Sequence, residues 1–378
     1  MAGKLLGAIV EEIWSSPNKR IPFARFMEQA LYHPRWGYYR REGRKIGREG
    51  DFFTSPYAGE LFGLTLSRVI GRLARRFPTD RPWAVVEMGG GDGRLAEQVI
   101  RGLAQRGLSH PPVYWMIETS SYHRRLQRER LKNSPWEVQW IDSVETIPAG
   151  TPAILFSNEL VDAFPVHRVR KREGCLREIY VTWNTQDTHL EEVEGPLSRP
   201  ELAAYFAESG RNLVEGGEAE VPLAAREWIQ QIGGWLEQGI LLTIDYGGTS
   251  LELDSPLRRE GTLRGFRKHR LVTDLLSQPG ETDLTADVCF TALRRWGEEA
   301  GLFPQWYGSQ SRFLLEAGIL EELTPPSDAD PFSPEAKRIR SLRQLALPGG
   351  MGEQFRVLIQ AKGQLIPADF LAPGEESL

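Results

Sequence analysis

The sequence predicts an α/β fold built on a parallel sheet. Three observations carry that prediction. A short apolar run, Ala84-Val85-Val86, ends in Glu87 and enters a loop with four glycines in five residues, Gly89-Gly90-Gly91-Asp92-Gly93. From Leu95 the pattern turns helical, with Leu95, Val99, Ile100 and Leu103 roughly on one face. Further short apolar runs recur downstream, each followed by an acidic or amide residue and then by a helical stretch. Strand, glycine loop and helix open a nucleotide-binding α/β unit, and alternating strands and helices build a parallel sheet.

Composition sets the outer limits. The chain has 378 residues, 40% hydrophobic and 26% charged, enough for one large or two medium domains. Lys and Arg number 46 against 51 Asp and Glu, a net charge of −5, which argues against a general nucleic-acid binder. Cys175 and Cys289 are far apart and have no metal-ligand spacing, so a reducing, cytoplasmic setting is expected. No apolar run is long enough to span a bilayer. The CxxC, HExxH and GxSxG arrangements are missing, and metal-hydrolase and serine-hydrolase chemistry lose their sequence support.

Taken in order, residues 4–14 read as an amphipathic helix, and Ile21 to Tyr32 as a second one with Pro22 at an early position. His33-Pro34 ends it. Trp36-Gly37-Tyr38-Tyr39, the basic stretch from Arg40 to Gly50 and Asp51-Phe52-Phe53-Thr54-Ser55-Pro56 then form a loop of the kind that covers sites. Gly59 to Phe77 is helical. Val113 to Ile117 is a second strand ending at Glu118, and Ser120 to Leu131 a charged helix. Trp136 to Trp140 is a third strand with Asp142 just past its end, and Ala153 to Phe156 a fourth, leading into Ser157-Asn158-Glu159. Residues 166–190 alternate as a hairpin does, and 191–218 are acidic and mixed. Pro222 to Leu236 is a helix, and Ile240 to Ile244 a fifth strand ending at Asp245-Tyr246. Residues 249–285 read as loop-rich; Asp287 to Ala300, Phe313 to Leu323 and Pro334 to Ala346 read as helices. Gln354 to Gln360 is a late strand, and the tail after Gly363 frays. The expected division is a helical segment with a lid loop at 1–80, a core at 81–190 and 220–363, an insertion at 191–219 and a tail at 364–378.

Glu87, Glu118, Asp142 and Asn158-Glu159 all fall at strand ends, where the ligand crevice of an open α/β sheet lies. Glu118 stands about one βαβ step after the glycine loop, where an acid accepts hydrogen bonds from ribose hydroxyls. The loop itself reads Gly89-x-Gly91-x-Gly93, with Arg94 at the third glycine of a dinucleotide fingerprint and no Lys-Ser/Thr pair of a P-loop. An oxidoreductase using a dinucleotide is thereby disfavoured. An acid before G-x-G-x-G looks like motif I of class I S-adenosylmethionine-dependent methyltransferases.

These stretches together resemble the MidA-like proteins, class I methyltransferases that include the mitochondrial arginine methyltransferase of complex I assembly. The resemblance rests on Leu31-Tyr32-His33-Pro34 with Gly37-Tyr38-Tyr39, and on Gly47 to Pro56. It continues through Glu87 to Leu95, Ser157 to Val166, Asp245-Tyr246-Gly247, and Gly261-Thr262-Leu263-Arg264 with Asp283-Leu284-Thr285. They occur in family order over residues 21–360. Gly90 departs from the family's proline. The resemblance implies a seven-stranded Rossmann-like methyltransferase sheet with added helical segments, and a loop Asp51 to Pro56 lying over the cofactor. S-adenosylmethionine is then expected to meet Glu87, Gly89, Gly91, Gly93, Glu118, Asp142, Asn158, Thr54, Ser55 and Pro56.

The implied reaction is methylation of an arginine in a protein partner, a respiratory-complex subunit in the mitochondrial relative. A guanidinium stays protonated in water, so its site should present carboxylates. Glu159 is the first candidate, followed by Asp162 and Asp51; Tyr246 is placed to line the methyl channel. The alternative is an assembly factor that holds a partner protein on a methyltransferase fold without catalysis.

Overall fold

The computed structural model describes residues 2–43, 55–78, 80–108, 110–323, 330, 333–363 and 371. The chain forms two compact units, each drawn from three stretches. The first comprises Met1–Phe52, Val161–Gln230 and Gly247–Trp296. The second comprises Phe53–Leu160, Gln231–Tyr246 and Gly297–Leu378.

The second unit carries the expected seven strands: β1 (Ala84–Met88), β2 (Val113–Ile117), β3 (Val138–Ile141), β4 (Ala153–Asn158), β5 (Gly239–Gly248), β6 (Phe303–Ser309) and β7 (Phe355–Lys362). Their order across the sheet is β3-β2-β1-β4-β5-β7-β6. The first five pair in parallel, and β7 runs antiparallel to both β5 and β6. Chain order reverses direction between β1 and β4, which opens a crevice beyond their carboxyl ends. All five residues of β1 are buried, as a strand covered on both faces requires. Leu66, Val69, Val85, Val99, Ile100, Ile154, Phe156, Leu242, Phe355 and Val357 share one core. Each such side chain contributes roughly 1.5–3 kcal/mol on burial.

The first unit holds a five-stranded antiparallel sheet, with Arg20–Pro22, Cys175–Asn184, His167–Arg172 and Glu218–Val221 in that order and His189–Gly195 also paired to Cys175–Asn184. The helices Ala2–Ser15 and Phe23–Tyr32 bury Leu5, Ile9, Phe26, Met27 and Leu31 in a core with Val166, Val181 and Leu190. The predicted hairpin at 166–190 is therefore present. Residues 191–219, expected as an insertion, carry the end of His189–Gly195, the helix Glu201–Ser209 and the start of Glu218–Val221.

Four local expectations need correction. Ile21 and Pro22 belong to an edge strand, with Pro22 capping the helix that starts at Phe23; proline's missing N–H is tolerated at both positions. The loop-rich stretch 249–285 contains a three-stranded sheet of Arg264–Arg267, Arg270–Val272 and Asp283–Thr285, too short and polar to show a period. The helix expected over Phe313 to Leu323 runs from Gln310 to Glu316 and gives way, after the left-handed Gly318, to a 3-10 turn. The sequence does not announce β6, because Pro304, Gln305 and Gly308 interrupt its alternation. A short strand, Val288–Cys289, adds to the end of β5 at Gly247 and Gly248.

Candidate active site

The loop after β1 is shaped by glycine. Gly89, Gly91 and Gly93 have φ of 72°, 51° and 81°, a region that side-chain-bearing residues avoid. Gly93, in a left-handed conformation, caps the helix Arg94–Gln105 and leaves the first N–H groups of that helix without intrahelical partners. Gly90 has a different reason. A Cβ there would meet Met116 Cε at 2.5 Å and Glu87 Cδ at 3.2 Å, so Met116 occupies the room that the family's proline would need.

Glu87 is 2% exposed and accepts a hydrogen bond from Tyr114 Oη at 2.6 Å. Burial pushes its carboxyl up to about 7, against the pull of that hydrogen bond. Glu118, at the end of β2, accepts from Ser120 N at 2.7 Å and from Gln127 Nε2 at 3.2 Å. Burial raises it too. The same Gln127 Nε2 donates to the Gly91 carbonyl at 2.9 Å, tying the glycine loop to Glu118. Asp142 is open to solvent, its side chain 86% exposed and paired with Arg124 at 2.7 Å.

Beyond β4 the chain makes a strained turn. Glu159 has φ 55°, a conformation that costs a non-glycine residue on the order of 1–3 kcal/mol and clusters at functional sites. Two contacts hold the segment. Glu159 N donates to the Ile244 carbonyl at 3.0 Å, and Leu160 N donates to Asp245 Oδ2 at 3.1 Å. Glu159 Oε1 then accepts from Asn158 Nδ2 at 2.9 Å and from Ser55 N at 3.3 Å. Because a carboxylate only accepts, Asn158 must turn its nitrogen toward Glu159. Its Oδ1, buried, has no hydrogen-bond partner among the described residues. Tyr246 packs its ring on Phe355 at 3.9 Å between centroids.

Ser55 and Pro56 are buried at the start of a 3-10 turn, where the Pro56 carbonyl accepts from Gln98 Nε2 at 3.3 Å. The structure thus brings Asn158, Glu159 and Ser55 together, and Glu118 to the glycine loop. Asp162 lies in the first unit, in the turn Val161–Ala163, with a buried side chain and its carbonyl accepting from Ala286 N at 2.9 Å. Asp51 and Thr54 lie outside the described residues.

Sequence reasoning missed several participants. Asp92 accepts from Tyr57 Oη and from Arg130 Nη2, each at 2.8 Å, which fastens the turn at 55–57 to the glycine loop. Asp245 is fully buried and staples β5 to the segment after β4. Gln127 had a signal: it shares the buried face of its helix with His123 and Leu131, an odd place for an amide. Asp92 and Tyr57 had none, since their pairing joins residues 35 apart.

These residues fit S-adenosylmethionine. Left-handed glycines let a ligand approach the backbone, and a buried carboxylate at the end of β2 suits hydroxyl donors. The family model described as "Putative S-adenosyl-L-methionine-dependent methyltransferase" matches residues 65–308. The chain is 29% identical to the mitochondrial protein arginine methyltransferase NDUFAF7 homolog of Drosophila melanogaster, over 91% of this chain and 82% of the relative. It is 30% identical to human NDUFAF7, over 89% of this chain and 78% of that protein. A superfamily member from Burkholderia thailandensis, solved bound to S-adenosyl-homocysteine, superposes with a TM-score of 0.87 at 30% identity, covering 100% of this chain and 96% of the other. Glycine loop, strand order and these likenesses agree, and the chain belongs to the MidA-like family of S-adenosylmethionine-dependent methyltransferases.

Proposed function

We propose that this chain methylates an arginine side chain of a protein partner, with Glu159 as the residue that receives the guanidinium. The observation that carries the reading is the end of β4. There a carboxylate in a strained backbone conformation stands beside an amide whose carbonyl is buried and unpaired among the described residues. Both groups accept hydrogen bonds, and a guanidinium only donates them. The relatives named as protein arginine methyltransferases support the same acceptor.

Bound S-adenosylmethionine supplies an electrophilic methyl group. The protein's own task is alignment and charge. Glu118 and the glycine loop hold the cofactor; Glu159 orients the guanidinium and offsets its charge while one nitrogen attacks. Tyr246 lines the methyl channel in this reading. A respiratory-complex subunit as partner and a reducing, cytoplasmic location complete it; the two cysteines, both free, support the latter.

The test incubates the purified protein with methyl-labelled S-adenosylmethionine and a cell lysate, then reads methylarginine by mass spectrometry. Label on arginine is expected. Glu159→Gln should lower it at least about a hundredfold while calorimetry shows unchanged cofactor affinity. Full labelling by that variant would refute the assignment of Glu159, and label on another residue type would refute the acceptor.

A further inference from the structure

Ser55 is fully buried, and its two polar groups serve different elements. Its N–H donates to Glu159 Oε1 at 3.3 Å, and its hydroxyl donates to Gln310 Oε1 at 3.2 Å. Gln310 opens the helix that follows β6 and is 0% exposed. Its Nε2 is buried and has no hydrogen-bond partner among the described residues. The helix does not need this side chain as a cap, because Ser309 Oγ already accepts from Arg312 N. An apolar residue of similar size would fill the space without burying an unsatisfied amide. Glutamine here is thus a poor choice for stability and an intelligible one for fixing Ser55. Both bonds are long, as in sites that tighten around their reactants.

We infer that Gln310 is a positioning residue for methyl transfer. By holding the Ser55 hydroxyl, it sets where the Ser55 N–H meets the Glu159 carboxylate. This rests on the proposed role of Glu159, and the test separates the two.

Gln310→Met and Ser55→Ala remove the hydroxyl–amide bond from either side; the double variant removes both partners. Thermal unfolding, calorimetry with S-adenosylmethionine and the NMR titration of the Glu159 carboxyl carbon are measured on each. The Glu159 signal is identified as the one lost in Glu159→Gln. The double variant should melt no lower than the unaltered protein, because an apolar pair replaces an imperfect polar one. Cofactor affinity of Gln310→Met should stay within about twofold, since Gln310 lies outside both the glycine loop and the 54–56 stretch expected to meet the cofactor. The Glu159 midpoint should move upward in every variant, because a weakened N–H bond no longer favours the charged form. Labelling of lysate arginine should fall about tenfold. An unchanged Glu159 titration in any folded variant overturns the positioning role, and so does a double variant that loses stability without moving that titration. Full labelling by Glu159→Gln would sink the role of Glu159 alone; the titration would still decide whether Gln310 sets that carboxylate.

Discussion

Glu87 and Glu178 are both strand glutamates sealed from solvent, at 2% and 0% exposure. Glu87, in the second unit, has a tyrosine hydroxyl at 2.6 Å and is pushed up to about 7 by burial. Glu178, in the first unit, faces burial as well, yet His167 Nδ1 at 2.7 Å and Ser198 N at 2.6 Å outweigh it and hold the carboxyl below its ordinary range. The contrast extends to their neighbourhoods. Around Glu178, the sheet pairs its charges. Arg168 is 8% exposed and contacts Glu218 at 2.8 Å and Glu192; Arg170 contacts Glu194 at 2.7 Å and Glu218 at 2.8 Å. One unit uses buried charge as satisfied structure. The other keeps a buried acid whose charge is costly, beside the glycine loop.

The comparison breaks most visibly at Arg168. Arg168→Met leaves Glu218 with Arg170 as its remaining guanidinium partner, and chemical unfolding should show a loss of up to about 3 kcal/mol. A loss below about 1 kcal/mol would mean the ladder is decorative.

Glu87→Gln should act in the opposite direction. The folded carboxyl titrates at about 7 against 4.5 when unfolded, so the unfolded chain ionises first as pH rises. The folded state therefore loses stability between those two values and stays at the lower level above pH 7. The shift corresponds to roughly 3 kcal/mol at most. The glutamine variant should match the unaltered protein at pH 4 and exceed it at pH 8, with the difference read from denaturant midpoints. Equal stability at both pH values would remove the contrast with Glu178.

Gly91→Val sharpens the functional side. A β-branched residue at φ 51° is strained, and its side chain fills the ligand's approach. Calorimetry should show S-adenosylmethionine affinity reduced about a hundredfold in a folded protein. Asp142→Ala marks the small end. Its exposed carboxylate pairs with Arg124 in high dielectric, so stability should change by less than about 1 kcal/mol and cofactor affinity by no more than about tenfold.

The parallel strands were legible because each is a short apolar run between clear turn signals; β2 begins and ends where the sequence places it. The first unit was harder to read. Its hairpin showed in the alternation at 166–190, but the sheet also turns Arg168, Glu178 and Glu218 inward, and such paired charges hide the strand Glu218–Val221. The candidate residues at strand ends, Glu118, Asn158 and Glu159, stand out in the sequence because topology alone aims strand ends at the crevice. Asp245 and Gln310 do not, because each acts through contacts with residues far away in sequence.

The order β5-β7-β6 also governs how the protein is made. The partner of Gly239–Tyr246 on one side is Phe355–Lys362, more than a hundred residues later in the chain. During synthesis at about 5–20 residues per second, β5 waits several seconds with an open edge. A nascent chain stopped before Phe355 exposes a hydrophobic strand with unpaired backbone, the kind of edge that aggregates or recruits a chaperone. Among the described residues, the last strand to leave the ribosome is the one that inserts between β5 and β6.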